Sequence, residues 1–255
     1  RWLWFISMAE KVLQDEQEKD GVVVGAGFAG MYMLHRLRKM GYDVRVIEAG
    51  SGVGGTWYWN RYPGARCDVE SLEYSYSFDE ALQQEWEWTE RYSGQPEILK
   101  YANHVADRFD LRKDISFNTR VLSAVFDEQT DKWVVESDSG ETVRARFFVM
   151  ATGCLSSTNT PDIDGIEDFR GEVVHTGQWP KGGVDLAGKR VGIIGTGSSA
   201  VQAIPVIAEE CAELTVFQRT AQYTVPARNE KLNPAKVRET KGRYKEFRDE
   251  NFAMP

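Results

Sequence analysis

Apolar residues recur along this chain with two periods, and the switches between them mark out its elements. Gly21-Val22-Val23-Val24 is a short apolar run that predicts a buried strand, entered from an acidic lead, Glu10 to Asp20, expected to be frayed. Beyond a glycine-rich turn, Met33, Leu34, Leu37 and Met40 fall at helical spacing with Arg36, Arg38 and Lys39 between them, and Gly41 supplies a C-terminal stop. Val44 and Val46 then alternate with polar residues up to Ile47-Glu48, which reads as a second strand. These pieces make one complete strand-helix-strand unit.

The middle of the chain is less regular. Ser51 to Glu70 is loop-like and rich in glycine and aromatics (Trp57, Tyr58, Trp59, Tyr62), and Glu80 to Leu111 reads as mostly helical. Val121 to Phe126 and Lys132 to Glu136 alternate around the turn residues Asp127 to Asp131, and Thr142 to Met150 supplies a third strand, which predicts a small antiparallel excursion. Pro161, Gly165, Gly171, Pro180, Gly182 and Gly183 then mark loops. A second strand-helix-strand unit follows: Arg190 to Ile194, a helix from about Ser199 to Cys211, and Glu213 to Gln218. Past Asn229 the chain turns charged and helical.

Composition narrows the function classes. With 255 residues, 42% hydrophobic and 27% charged, the chain has the make-up of an ordinary globular protein with a sizeable core. A net charge of -8 argues against a general nucleic-acid binder, which needs clustered Lys and Arg. Cys67, Cys154 and Cys211 form neither a C-x-x-C pair nor a disulfide framework, so a reducing cytoplasm is expected. Trp2 to Ile6 is apolar but far shorter than the roughly 20 residues of a membrane span. Arg1 to Ser7 precede Met8, a candidate natural start, and residues 1–19 are set aside as an extraneous or disordered lead. His35 and His104 lack metal-ligand spacing, and no metal is expected.

The chemistry sits in two turns, Gly25-Ala26-Gly27-Phe28-Ala29-Gly30 and Gly195-Thr196-Gly197-Ser198-Ser199-Ala200, each between a strand and a helix. In G-x-G-x-x-G the first glycine permits the tight turn, the second admits a pyrophosphate, and the third allows close helix packing; the helix N-terminus adds N–H groups and partial positive charge. Glu48 lies 23 residues after Gly25 (48 − 25), at the end of the next strand, where a carboxylate accepts from ribose hydroxyls. The equivalent position, 24 residues after Gly195 (219 − 195), is Arg219, followed by Thr220. A guanidinium there fits a 2'-phosphate and favours NADPH over NADH, the alternative being a solvated charge at a strand end.

Between the turns, Phe169, Gly171, His175, Trp179 and Pro180 spell F-x-G-x-x-x-H-x-x-x-W-P. With the run Gly54 to Asp68, with Glu90-Arg91-Tyr92 and with Val216 to Thr220, it resembles the type I Baeyer-Villiger monooxygenases, particularly their phenylacetone monooxygenase-like branch. The resemblance implies an α/β fold with two dinucleotide-binding Rossmann-type domains, both incomplete in this chain. It implies an FAD-binding domain over 20–154, a linker over 155–189 and an NADP-binding domain over 190–255. It implies FAD contacts at Gly25, Gly27, Phe28, Ala29, Gly30, Glu48, Thr56, Trp57, Trp59, Asp68, Tyr74 and Val121. Trp57 and Trp59 read equally well as core aromatics from the residues alone. Arg66, Cys67 and Asp68 are implied to approach the nicotinamide, and Thr196, Gly197, Ser198, Ser199, Ala200, Val201, Gln202, Arg219 and Thr220 to hold NADP.

The implied reaction inserts one oxygen atom of O2 beside a ketone carbonyl through a flavin C4a-peroxide, giving an ester or lactone. Asp68 matches the aspartate that orients the family's active-site arginine and is the one catalytic assignment. That arginine belongs to the family's C-terminal half, so the resemblance implies an N-terminal half. His175 matches a linker residue coupled to domain motion. A flavin N- or S-oxygenating enzyme and a non-catalytic nucleotide-binding fragment are the alternatives; Trp179-Pro180 disfavours the former. The cysteine spacing disfavours a flavin disulfide reductase. A monomer without nucleic-acid or membrane partners is expected.

Overall fold

A computed structural model describes residues 16–155 and 157–253, which form two units. The first comprises the chain up to Trp59 with Ala102–Asp164, and the second comprises Asn60–Tyr101 with the chain from Gly165 onward. This division differs from the expected domain boundaries, because 60–101 groups with the second nucleotide turn rather than the first.

The first unit is built on β1 (Glu16–Val24), α1 (Phe28–Lys39), β2 (Val44–Ile47), the one-turn α2 (Thr56–Trp59), β3 (Ile115–Ser116), β4 (Val121–Asp127), β5 (Lys132–Ser137) and β6 (Thr142–Met150). Its six-stranded sheet has the order β3-β2-β1-β6-β5-β4. β1 pairs in parallel with β2 and β6, while β4, β5 and β6 pair antiparallel, so the expected excursion returns to the parallel core. Val22, Val23 and Val46 are fully buried, as a strand covered on both faces requires. Leu34 and Met31 of α1 pack on the Val23–Val46 side.

β1 starts earlier than expected. Residues 16–20, which look frayed in the sequence, pair with β6 from Thr142 onward. Lys19 pairs with Asp43 at 2.9 Å and Glu18 with Lys132 at 2.6 Å. Backbone pairing outweighs acidic composition here, and residues 1–15 of that lead lie outside the described residues.

The second unit contains α3 (Glu80–Glu85), α4 (Gln95–Arg108, which runs on past the division), β7 (Arg190–Ile194), α5 (Ser198–Glu210), β8 (Glu213–Phe217), α6 (Pro234–Gly242) and α7 (Tyr244–Phe252). β7 and β8 are parallel, with Ile194 opposite Phe217. Residues 80–111 are not one helical stretch. α3 is capped by Asp79, whose Oδ1 accepts the Leu82 N–H at 2.7 Å, and ends at Trp86. Non-helical backbone follows, in which Trp86 and Trp88 pack on Tyr101 with ring centroids 5.2 and 5.1 Å away. Leu186, Ala203 and Ile207 form a second core, against which Tyr62 and the fingerprint's Trp179 pack.

Candidate nucleotide-binding sites

In the first unit the Gly25–Gly30 turn is shaped by backbone packing. Gly25 has φ +102°, and a Cβ there would lie 2.6 Å from the Ala151 carbonyl oxygen. A Cβ on Gly30 would overlap the Gly25 carbonyl oxygen, so α1 abuts its own strand end. Gly27 caps α1 in an extended conformation with no side-chain cap. A Cβ on Gly55, itself at φ +54°, would lie 2.8 Å from the Gly27 Cα. Gly27 and Gly55 therefore form a cradle of bare backbone beside a helix N-terminus, the form a pyrophosphate site takes.

Glu48 follows β2 and is 5% exposed. Its Oε2 accepts the Ala26 N–H and its Oε1 the Gly50 N–H, both at 2.6 Å. A carboxylate offers about four lone-pair sites, so about two remain for ribose hydroxyls. The Glu48 acceptor oxygens and the glycine cradle fit a dinucleotide with an unphosphorylated ribose. Phe28 and Ala29 start α1, and Thr56 to Trp59 form α2. Trp57 is buried while Trp59 is partly exposed and meets Tyr58 edge to face at 4.9 Å; Tyr58 in turn bonds Ser51. Val121 opens β4 and packs against the buried cluster that contains Val22, Ile47 and Val135.

The second turn differs in kind. Gly195 has φ +100°, but nothing lies within 4 Å of a Cβ built there or on Gly197. Ala200 takes the place of the third glycine. Gly197 caps α5 without a side-chain bond, and Ser198, Ser199, Ala200 and Val201 form its first turn, whose leading N–H groups have no intrahelical partner. The Thr196 hydroxyl accepts from Gln218 Nε2 at 2.8 Å and points to the Thr220 carbonyl. Arg219 is exposed, and its guanidinium makes no hydrogen bond or ion pair among the described residues. An open turn with an uncommitted guanidinium after β8 fits a second, phosphorylated nucleotide.

The Gln202 carboxamide is engaged within the protein. Its Oε1 accepts the Tyr62 hydroxyl at 2.9 Å and the Arg66 N–H at 3.2 Å, and its Nε2 donates to the Arg66 carbonyl at 3.0 Å. The Arg66 guanidinium donates to Glu90 Oε2 at 2.7 Å and to the Tyr92 carbonyl. Arg66 and then the Asn229 amide, 2.6 Å away, hold the Glu90 carboxyl below its ordinary range. Cys67 is buried, which pushes its thiol above the ordinary value. Asp68 is exposed, and its carboxylate makes no hydrogen bond or ion pair among the described residues. Tyr74 is partly buried, and its N–H bonds the Glu70 carbonyl.

The fingerprint residues shape a loop. The Phe169 ring covers Gly171, where a Cβ would lie 2.5 Å from it. His175 Nδ1 accepts the Gly177 N–H at 3.0 Å and caps a 3-10 turn over Thr176–Gln178. The sequence pattern assigns no role to Gly55, Tyr62, Glu90 or Asn229. Gly54-Gly55 is visible as a glycine pair, but Glu90 and its partner Asn229 are 139 residues apart in sequence and carry no spacing signal.

The sequence pattern of the pyridine nucleotide-disulphide oxidoreductase family matches residues 22–251. A protein named Baeyer-Villiger monooxygenase from Pseudooceanicola batsensis is 53% identical over 88% of this chain and 41% of its own length. Phenazine N-monooxygenase PhzNO1 from Lysobacter antibioticus is 48% identical over 92% of this chain and 43% of its own. The structure of an oxidized steroid monooxygenase bound to NADP superposes with a TM-score of 0.86 at 60% identity, over 90% of this chain and 44% of that one. This chain thus spans less than half the length of the relatives it matches. The resemblance to Baeyer-Villiger monooxygenases read from the sequence is borne out, and the chain belongs to the pyridine nucleotide-disulphide oxidoreductase family.

Proposed function

We propose that this chain is the FAD- and NADPH-binding part of a Baeyer-Villiger monooxygenase, which inserts one oxygen atom of O2 beside a ketone carbonyl to give an ester or lactone. The observation that carries the reading is the pair of glycine turns with opposite following residues, Glu48 after the first and Arg219 after the second. Bound flavin would supply oxygen activation, and bound NADPH the reducing equivalents.

The residues divide the work. Gly25, Gly27 and Gly30, with Gly55 beside them, admit the FAD pyrophosphate, and Glu48 takes a ribose. Phe28, Ala29, Thr56, Trp57, Trp59, Tyr74 and Val121 line the flavin. Thr196 to Val201 receive the second pyrophosphate at the start of α5, and Arg219 with Thr220 selects the 2'-phosphate. Asp68 orients a cation that stabilises negative charge on the reacting oxygens. Arg66 and Cys67 act through their backbone on the placement of Asp68. The substrates are a small-molecule ketone and O2, and we place the protein in the cytoplasm as a monomer.

Oxidation of NADPH by the flavin-loaded full-length protein of which this chain is the proposed part, with and without a ketone, tests the reading. NADPH consumption should rise with ketone, and the product should be one oxygen atom heavier; consumption indifferent to every ketone overturns it. N-oxygenation of a heteroaromatic amine is a second reading, favoured by the 48% identity to a protein named as an N-monooxygenase. The same assay with such an amine separates the two.

A further inference from the structure

Gln202 is expected among the residues that hold NADP, yet its carboxamide is spent inside the protein. Three of its roughly four hydrogen-bonding positions go to Tyr62 and to both backbone groups of Arg66. It meets Arg66 as one strand residue meets another, accepting the N–H and donating to the carbonyl.

The approach is close as well as bonded. Gly64 has φ +76°, and a Cβ there would overlap the Gln202 carbonyl and lie 3.1 Å from Val206 Cγ2. Residues 64–66 thus lie flat on α5, at a spot where only glycine fits. The opposite edge of the same segment is also bonded. The Gln95 N–H reaches the Ala65 carbonyl at 2.8 Å, the Cys67 N–H reaches the Ser93 carbonyl at 3.0 Å, and Arg66 is anchored by Glu90. The next residue is Asp68, whose carboxylate has no partner of its own among the described residues. Its position therefore follows from the backbone of Arg66 and Cys67.

We propose that Gln202 is a positioning residue, which fixes the Arg66–Asp68 loop to the helix that begins at the second nucleotide turn and so sets where the Asp68 carboxylate stands. The importance of that placement rests on the role given to Asp68 above. The mechanical claim, that Gln202 holds the loop, stands independently of it.

Cys67 reports on the loop directly, because its thiol is buried while the loop is in place. Iodoacetamide labelling, resolved by peptide mass spectrometry, follows Cys67, Cys154 and Cys211 together in the whole chain. Cys211 caps the C-terminal end of α5 and reports on the helix itself. Gln202→Met removes all three bonds at similar volume, whereas Gln202→Glu keeps the two accepted bonds and loses the donated one. Cys67 should label about tenfold faster in Gln202→Met, with Gln202→Glu in between and Cys211 unchanged. An unchanged Cys67 rate in Gln202→Met overturns the proposal, and so does a parallel rise at Cys67 and Cys211. No nucleotide or ketone enters this test, so it succeeds or fails separately from the oxygenation assay.

Discussion

Glu48 Oε2 accepts the N–H of Ala26 at 2.6 Å, tying the carboxylate after the second strand to the middle of the first glycine turn. The acid proposed to read a ribose thus also holds the turn proposed to receive the pyrophosphate, so both proposed functions would depend on a single buried side chain. The Glu48→Gln variant keeps one acceptor oxygen but sets an NH2 against a backbone N–H. We expect FAD affinity to fall by about tenfold or more, the value of losing a hydrogen bond to a charged group. Flavin titration by fluorescence quenching measures it.

The two glycine turns should respond oppositely to added methyl groups. Gly30→Ala forces α1 away from the Gly25 carbonyl, at a cost of about 1–3 kcal/mol in denaturant unfolding. Gly197→Ala meets open space at an ordinary negative φ and should leave unfolding within about 0.5 kcal/mol of wild type. It should still weaken NADPH, because the methyl occupies the approach of the pyrophosphate. Urea melts and NADPH titration on both variants check the contrast.

Arg219→Ala should weaken NADPH by about 10- to 100-fold and leave NADH nearly unchanged, since the guanidinium serves only the 2'-phosphate. Titration of the variant with each nucleotide measures the difference. Equal losses for both would assign Arg219 a structural role instead.

The Arg66–Glu90 pair gives a pH dependence of known sign. Arg66 and then Asn229 lower the Glu90 carboxyl in the folded protein, so the pair stabilises above the unfolded carboxylate's pKa and is lost as pH falls through the depressed one. Both side chains are about one-third exposed, which keeps the contribution modest, on the order of 1 kcal/mol or less. Glu90→Gln should therefore melt slightly lower than wild type at pH 7, and the two curves should converge below about pH 4. Thermal melts across that range provide the comparison.

The elements that periodicity and turn chemistry define are legible in the sequence: β1-α1-β2, the β4-β5-β6 excursion and β7-α5-β8 stand where Val22, Leu34, Val46 and their counterparts put them. Glu48 is legible too, because its spacing from Gly25 is fixed by the length of one strand-helix-strand unit. What stays hidden is tertiary. Residues 16–20 look frayed until β6 supplies a partner, and the 80–111 stretch is mostly helical as read but broken after Glu85, where Trp86 and Trp88 pack on Tyr101. Gln202 occupies a motif position that resembles a ligand contact, and only the fold reveals that Arg66 takes up its amide.

The most direct test of two nucleotide sites in this chain is the visible spectrum of the purified protein loaded with FAD, followed anaerobically after adding NADPH or NADH. Two nucleotide sites should retain flavin and bleach it markedly faster with NADPH; failure to retain flavin, or equal bleaching by both nucleotides, would rule them out.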